Sequence, residues 1–254
     1  MYRRKRVLCF FLTLLVCFSS SFLHGCSEKN SSDTLPWYYA AGHIICIGDS
    51  LTAGAYFSET YPGVEIEQSY PYYLSRMLDA EVTNAGYSGY SMSEWYLEHA
   101  EDYDWRDYDT ALIWLGTNRA PTDTLAEDVL PFSDPADFAE TETGYYCRLL
   151  EDIRSDNPEC MIILLNLFAS KDDVEEGNRA ISAIADRYET LLLDMSDLGN
   201  TEHPELHIGS ERNPHFGKAG NLYIAARIVE FLQEFYEKDP LRCEFGIIPS
   251  GNCQ

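Results

Sequence analysis

The segment Gly48-Asp49-Ser50-Leu51-Thr52-Ala53-Gly54 places a small hydroxyl residue between two glycines, just where an apolar, β-branched run (residues 43–47) ends. A serine on a sharp strand-to-helix turn is presented outward, ahead of the positive end of a helix. Its hydroxyl becomes a useful nucleophile once a neighbouring base takes its proton. Gly48 and Gly54 permit the tight backbone such a turn needs. An imidazole titrates near pH ~6.5 and can take and return a proton at neutral pH, and the chain has six histidines. Covalent catalysis by a serine is the chemistry these residue types allow. A serine that merely caps a turn fits the same local pattern, so this segment alone does not assign it.

The elements that would position these residues follow an α/β rhythm. Apolar runs at residues 43–47, 81–84, 110–115, 161–165 and 190–193 read as five strands, and nearly continuous apolar strands are what a parallel sheet covered on both faces requires. Between them, residues 72–78, 93–101 (Ser91 or Ser93 as cap), 136–154, 173–188 and 217–238 read as helices. In the last of these, Leu222, Ala225, Ala226, Val229 and Leu232 are assigned to the buried face, and Pro240 follows its end. Alternation of this kind predicts a three-layer α/β/α sandwich with a five-stranded, mainly parallel sheet. Residues 120–137, rich in Asp, Glu, Thr and Pro, interrupt the rhythm after the third strand, as a rim or lid or as a plain surface insertion.

Three further segments fall at strand ends or a helix start: Asn84-Ala85-Gly86-Tyr87-Ser88-Gly89-Tyr90-Ser91, Gly116-Thr117-Asn118-Arg119 and His215-Phe216-Gly217-Lys218-Ala219-Gly220. With the Ser50 segment they resemble, in order, the four blocks of the SGNH (GDSL) hydrolase superfamily, over roughly residues 42–237. The resemblance implies a flavodoxin-like sandwich and a serine esterase that needs no metal or organic cofactor. It implies Ser50 as nucleophile and His215 as base. The oxyanion of the tetrahedral intermediate would meet the Ser50 N–H, the Gly89 N–H and the Asn118 amide, each such donor being worth on the order of 10²–10³ in rate. Glycine at 89 would let its N–H approach without a side chain in the way, and Asp at 118 would bring acceptors and a charge instead of a donor. Each role has a plainer counterpart: Asn118 as a turn cap, Gly86 as the donor in place of Gly89, His203 or His207 as the histidine. His43, at a strand start, and His99, within a helix, are expected to be structural.

Two departures from the family pattern stand out. Where it usually has Asp, three residues before the histidine, this chain has Arg212. Glu211 is the nearest substitute to orient His215. A backbone carbonyl or a carboxylate from elsewhere would leave a Ser–His dyad, and Asp194 is expected to anchor the turn after the fifth strand. Arg119 replaces an Asp; it either places a positive charge beside the site or pairs with the acidic loop 120–137, the plainer expectation. The aromatics Tyr56, Phe57, Tyr87, Tyr90, Trp95 and Trp114 lie in or near the blocks and suit sugar faces, acyl chains or simply the core, Trp114 above all the core.

The ends of the chain bear on its address. Arg3, Arg4, Lys5 and Arg6 precede a mostly apolar, uncharged run at residues 7–23, the pattern of an export signal. Leu23-His24-Gly25-Cys26 resembles a bacterial lipobox, in which Cys26 is lipidated and becomes the new N-terminus; His24 is unusual there. The expected organisation is a signal peptide at 1–25, a polar lipid-anchor tether at 26–41, the hydrolase domain at 42–240 and a C-terminal tail at 241–254. The protein would then be exported, anchored to the membrane through Cys26 or secreted. Loss of residues 1–25 removes four basic side chains and no acidic one, taking the formal charge from −24 to −28. A chain so acidic repels phosphate backbones, which excludes a nucleic-acid partner. Cys46 and Cys160 are expected as buried thiols; Cys243 and Cys253 could close a disulfide, though spacing does not fix the pairing. No CxxC pair suggests zinc. The expected substrate is an ester, O-acylated carbohydrate first and lipid ester or thioester next. A sugar hydroxyl in place of water would make the same site an acyltransferase, and loss of the triad acid would leave a non-catalytic glycan-binding lipoprotein.

Overall fold

The computed structural model describes residues 37–54, 69–122, 134, 137–168, 173–199, 203–208 and 215–238. Five strands form one sheet: β1 (Ile44–Gly48), β2 (Val82–Gly86), β3 (Thr110–Trp114), β4 (Met161–Leu165) and β5 (Leu191–Leu193). The order is β2-β1-β3-β4-β5 and every ladder is parallel, with Ile44 opposite both Val82 and Thr110. Every residue of β1, β3 and β4 is buried, the consequence of cover on both faces.

Among the described residues six α-helices supply that cover: α1 (Ser50–Ala53), α2 (Tyr70–Leu78), α3 (Met92–His99), α4 (Glu142–Asp156), α5 (Val174–Tyr188) and α6 (Lys218–Lys238). α2 packs on α6, while α3 packs on α4 and α4 on α5, giving the two outer layers. Ser91 starts α3 through a capping box: its side chain accepts from the Glu94 N–H, and the Glu94 carboxylate accepts from the Ser91 N–H. The Trp95 indole donates to the Ala85 carbonyl at 2.8 Å and fastens α3 to β2. Cys46, Cys147 and Cys160 are buried free thiols.

Three expectations change. The tether does not run to residue 41: Trp37–Ala41 is a 3-10 turn packed against α6, with Ala41 fully buried and the Ala40 carbonyl accepting from the Tyr236 hydroxyl. The helix expected from residue 136 begins at Glu142, where the Thr141 side chain caps it by accepting from the Gly144 N–H. The buried face of α6 is Asn221, Ile224, Ala225, Ile228, Leu232 and Tyr236, while Leu222 and Ala226 face solvent. Apolar residues surround the first half of α6, so two stripes fit the helical period and only the sheet selects one.

A tight approach sets the geometry around the turn after β1. A Cβ on Gly86 would lie 2.2 Å from the Ala53 amide nitrogen, so the end of β2 passes directly against α1. Gly86→Ala should therefore separate β2 from α1 at a cost of about 1–3 kcal/mol, seen as a fall of roughly 2–12 °C in melting temperature. An unchanged thermal transition would contradict that contact.

Candidate active site

β1, β2 and β3 end on the same edge of the sheet. The chain leaves β1 for β2 on one side and returns to β3 on the other, so the crevice between β1 and β3 is the topological switch point where open α/β sheets hold ligands. Ser50 lies there as the first residue of α1, 8% exposed. The Asp49 carboxylate accepts from the Leu51 N–H at 2.9 Å, and the Asp49 carbonyl accepts from the Thr52 and Ala53 N–H groups. These bonds fix the turn and leave the Ser50 hydroxyl pointing off its apex.

His215 comes to this turn from the other end of the chain. Its Nε2 lies 2.8 Å from Ser50 Oγ, across 165 positions of sequence. An antiparallel bridge of His207 with Phe216 holds the histidine segment, with the Ile208 N–H donating to the His215 carbonyl and the Gly217 N–H to the Leu206 carbonyl. Phe216, 1% exposed, plugs into the core, its ring centroid 6.2 Å from Trp114, 5.2 Å from Phe168 and 4.4 Å from His207. Burial, reinforced by the charge of His207, lowers the His215 pKa to about 4. The imidazole is therefore neutral at pH 7, and with its proton on Nδ1 it accepts the serine proton at Nε2.

The segments after β2 and β3 meet beside this pair. The Asn118 amide donates to the Tyr90 carbonyl at 2.9 Å and approaches Asp49 Oδ2 at 3.5 Å, so it links the Gly89 segment to the Ser50 turn. Gly89 has φ +88°, a conformation that L side chains rarely adopt, while a Cβ there would meet nothing within 4 Å. Backbone conformation, rather than crowding by the protein, is what demands glycine at this position. The N–H of Gly86, the other candidate donor, is given to Asn84 Oδ1 at 3.0 Å, and Asn84 Nδ2 donates to the Thr52 carbonyl, lacing β2 to α1.

The structure thus brings Ser50, His215, Asn118 and the Gly89 segment together. Glu211, Cys26, Tyr56, Phe57, Cys243 and Cys253 lie outside the described residues. The rival histidines are occupied elsewhere: His203 with Glu205, and His207 Nε2 with the Leu198 carbonyl. His43 pairs with Thr83, and His99, at the end of α3, lies beside Asp102 and stacks on Tyr87 at 3.5 Å. Asp194 anchors its turn by accepting from the Ser196 N–H and from Asn166, and these bonds hold its carboxyl below the usual range. Trp95 and Trp114 are fully buried. Arg119 pairs with Glu142 at 2.9 Å, in the first turn of α4; most of the acidic loop expected as its partner lies outside the described residues. Sequence reasoning missed Glu142, Tyr146 and Phe216. Tyr146 engages both the N–H and the carbonyl of Leu115 and so steadies the segment leading to Asn118. Their apolar or acidic helical surroundings carry no mark of these roles, except that Phe216 is a large apolar residue directly after the site histidine.

Residues 46–221 match the GDSL-like Lipase/Acylhydrolase family. The chain belongs to this family. As a GDSL-family acylhydrolase it is a hydrolase of ester bonds. No curated protein sequence matches it. Among solved structures it is similar to a G-D-S-L family lipolytic protein from Desulfitobacterium hafniense DCB-2, at 20% identity and TM-score 0.55, covering 74% of this chain and 98% of that one. It is similar to the psychrotrophic esterase EstA of a Pseudoalteromonas species, inhibited by monoethylphosphonate, at 14% identity and TM-score 0.55, covering 77% and 99%. The acetyl xylan esterase AlAXEase matches at 19% identity and TM-score 0.54, covering 74% and 98%. At such identities the likeness is one of fold.

With His215 read as the base, its depressed pKa predicts the acid limit of this GDSL hydrolase. Below the folded pKa the imidazole is protonated and cannot act as a base, whereas an unperturbed histidine would already be half protonated near pH ~6.5. kcat/KM should stay level from pH 7 down to about 5 and fall as pH passes through about 4. Circular dichroism at each pH separates this titration from unfolding; an acid limb near 6.5 in folded protein would contradict the burial of the ring.

Proposed function

We propose that the protein is an extracytoplasmic esterase that removes an acyl group from a carbohydrate through an acyl-Ser50 intermediate. The observation that carries this reading is the 2.8 Å contact between Ser50 Oγ and His215 Nε2, with the imidazole kept neutral by burial. Ser50 Oγ attacks the ester carbonyl carbon as His215 takes its proton. The carbonyl oxygen becomes an oxyanion facing the Ser50 and Gly89 N–H groups and the Asn118 amide. Collapse breaks the bond to the alcohol, which leaves with the proton from His215. Water, deprotonated by the same imidazole, then attacks the acyl carbon, and Ser50 recovers its proton as the acid departs. Glu211 is assigned to orient His215 through Nδ1.

An extracytoplasmic address puts O-acylated sugar before lipid ester as substrate, and an acetyl xylan esterase and a lipolytic protein both share this fold. The basic, apolar leader and Cys26 in Leu23-His24-Gly25-Cys26 support export and lipid anchoring. A binding-only lipoprotein would not need an imidazole docked on the serine.

Ser50→Ala should abolish labelling by a fluorophosphonate probe and lower turnover of p-nitrophenyl acetate by at least about 10³-fold. Asn118→Ala should lower kcat by about 10²–10³. A Ser50→Ala enzyme with wild-type turnover would end the reading. Cys26→Ser should move the expressed protein from the membrane pellet to the soluble fraction; continued sedimentation with membranes would remove the anchor from the proposal.

A further inference from the structure

We propose that Glu142 is a positioning residue for the oxyanion donors, holding the segments after β2 and β3 in one register. This rests on reading the Gly89 N–H and the Asn118 amide as those donors. Glu142 opens α4 and is 6% exposed, an unusual depth for a carboxylate. Its Oε2 accepts from the Ser93 N–H at 3.0 Å, and its Oε1 accepts from the Ser93 hydroxyl at 2.7 Å and from Arg119 Nη1 at 2.9 Å. Ser93 lies in the first turn of α3, its Oγ 3.1 Å from that of Ser91, directly after Gly89 and Tyr90. Arg119 directly follows Asn118. Asn118 in turn donates to the Tyr90 carbonyl, so the bonds form a closed ring: Glu142, Ser93, the Ser91–Tyr90 backbone, Asn118, Arg119, Glu142.

Such a ring has a mechanical consequence. Donor groups must be held within about 0.5 Å of their productive positions, and a 1 Å displacement can cost about 10²-fold in rate. Neither donor segment is part of the sheet, so its regular hydrogen bonding stops short of both. The buried carboxylate, its charge met by a guanidinium and two Ser93 donors at the positive end of a helix, supplies a fixed point common to both. It also gives Arg119 a role: the guanidinium, 60% exposed, ties Asn118 to that point.

The test is a double-mutant cycle read by kcat and KM on p-nitrophenyl acetate. Asn118→Ala alone should lower kcat at least a hundredfold; if it does not, the donor reading itself falls. Glu142→Ala should lower kcat about tenfold in the wild-type background, with KM changed less than twofold, because oxyanion donors act on the transition state. In the Asn118→Ala background the same change should cost only about threefold, since the arm to the Gly89 segment alone remains to be lost. A Glu142→Ala enzyme with wild-type kcat, or an equal tenfold loss in both backgrounds, overturns the proposal and leaves the donor reading intact. Should Glu142→Ala fail to fold, the exposed Arg119→Ala breaks only the arm to Asn118: about threefold loss alone and none beside Asn118→Ala, equal losses again overturning it. Glu142→Gln keeps an acceptor for Ser93 and should return kcat to within threefold of wild type. A purely structural carboxylate would lower the melting temperature of its variants and leave kcat per folded enzyme unchanged.

Discussion

The hydrogen bond between Ser50 Oγ and His215 Nε2 joins two segments that share no secondary structure, and most of the described architecture serves to make it. One partner is fixed from below, because β1 ends at Gly48 and the Asp49 carboxylate clamps the turn that follows. The other is fixed from the side, through Phe216 among Trp114, Phe168 and His207. An exposed imidazole would lose much of its time to protonation and to other rotamers. Burying its neighbour Phe216 immobilises the segment, and the same burial depresses the His215 pKa. Positioning and the neutral state of the imidazole thus come from one packing arrangement.

The parallel sheet contributes the remaining geometry. Adjacent parallel strands share an edge, so the segments leaving β1, β2 and β3 emerge together, and the passage of Gly86 against Ala53 draws the β2 segment onto the Ser50 turn. No single segment is informative alone: a serine in a turn, a glycine with positive φ and an asparagine bonded to a carbonyl are all common in loops. The meaning lies in their convergence at the switch point.

Much of this was legible in the sequence, and the failures share a cause. The strands were readable because buried parallel strands are continuously apolar, and Met161–Leu165 is delimited by composition alone. Ser50, Asn118 and His215 were readable because short segments around glycine retain their character. The buried face of α6 was misphased because Ile224 and Leu222 are equally apolar, and only contact with the sheet distinguishes them. Glu142 was not legible as a partner of Arg119, because it lies 23 residues further on and reaches it through the packing of α4. Trp37–Ala41 looked like tether because its burial depends on α6, some two hundred residues away. Local chemistry could be read from the chain; which distant partner completes it could not.

The charges around the site pose one last physical question. Ester hydrolysis through the proposed acyl-enzyme requires stabilising a new negative charge in a chain of formal charge −24, and Asp49, fully buried, sits next to Ser50. A carboxylate so placed opposes the oxyanion by simple Coulomb repulsion. Its contribution is positional: it accepts from the Leu51 N–H and lies 3.5 Å from the Asn118 amide, so it fixes the turn and helps to aim the donor. The proposed oxyanion donors are accordingly neutral dipoles, two backbone N–H groups and one amide, oriented in advance by fixed bonds. Arg119, a full positive charge directly after Asn118, is held by Glu142. A guanidinium aimed into the crevice would stabilise a substrate carboxylate as readily as a transition state. Preorganised dipoles respond chiefly to charge that develops where they point, and so favour the transition state over the neutral ester that precedes it.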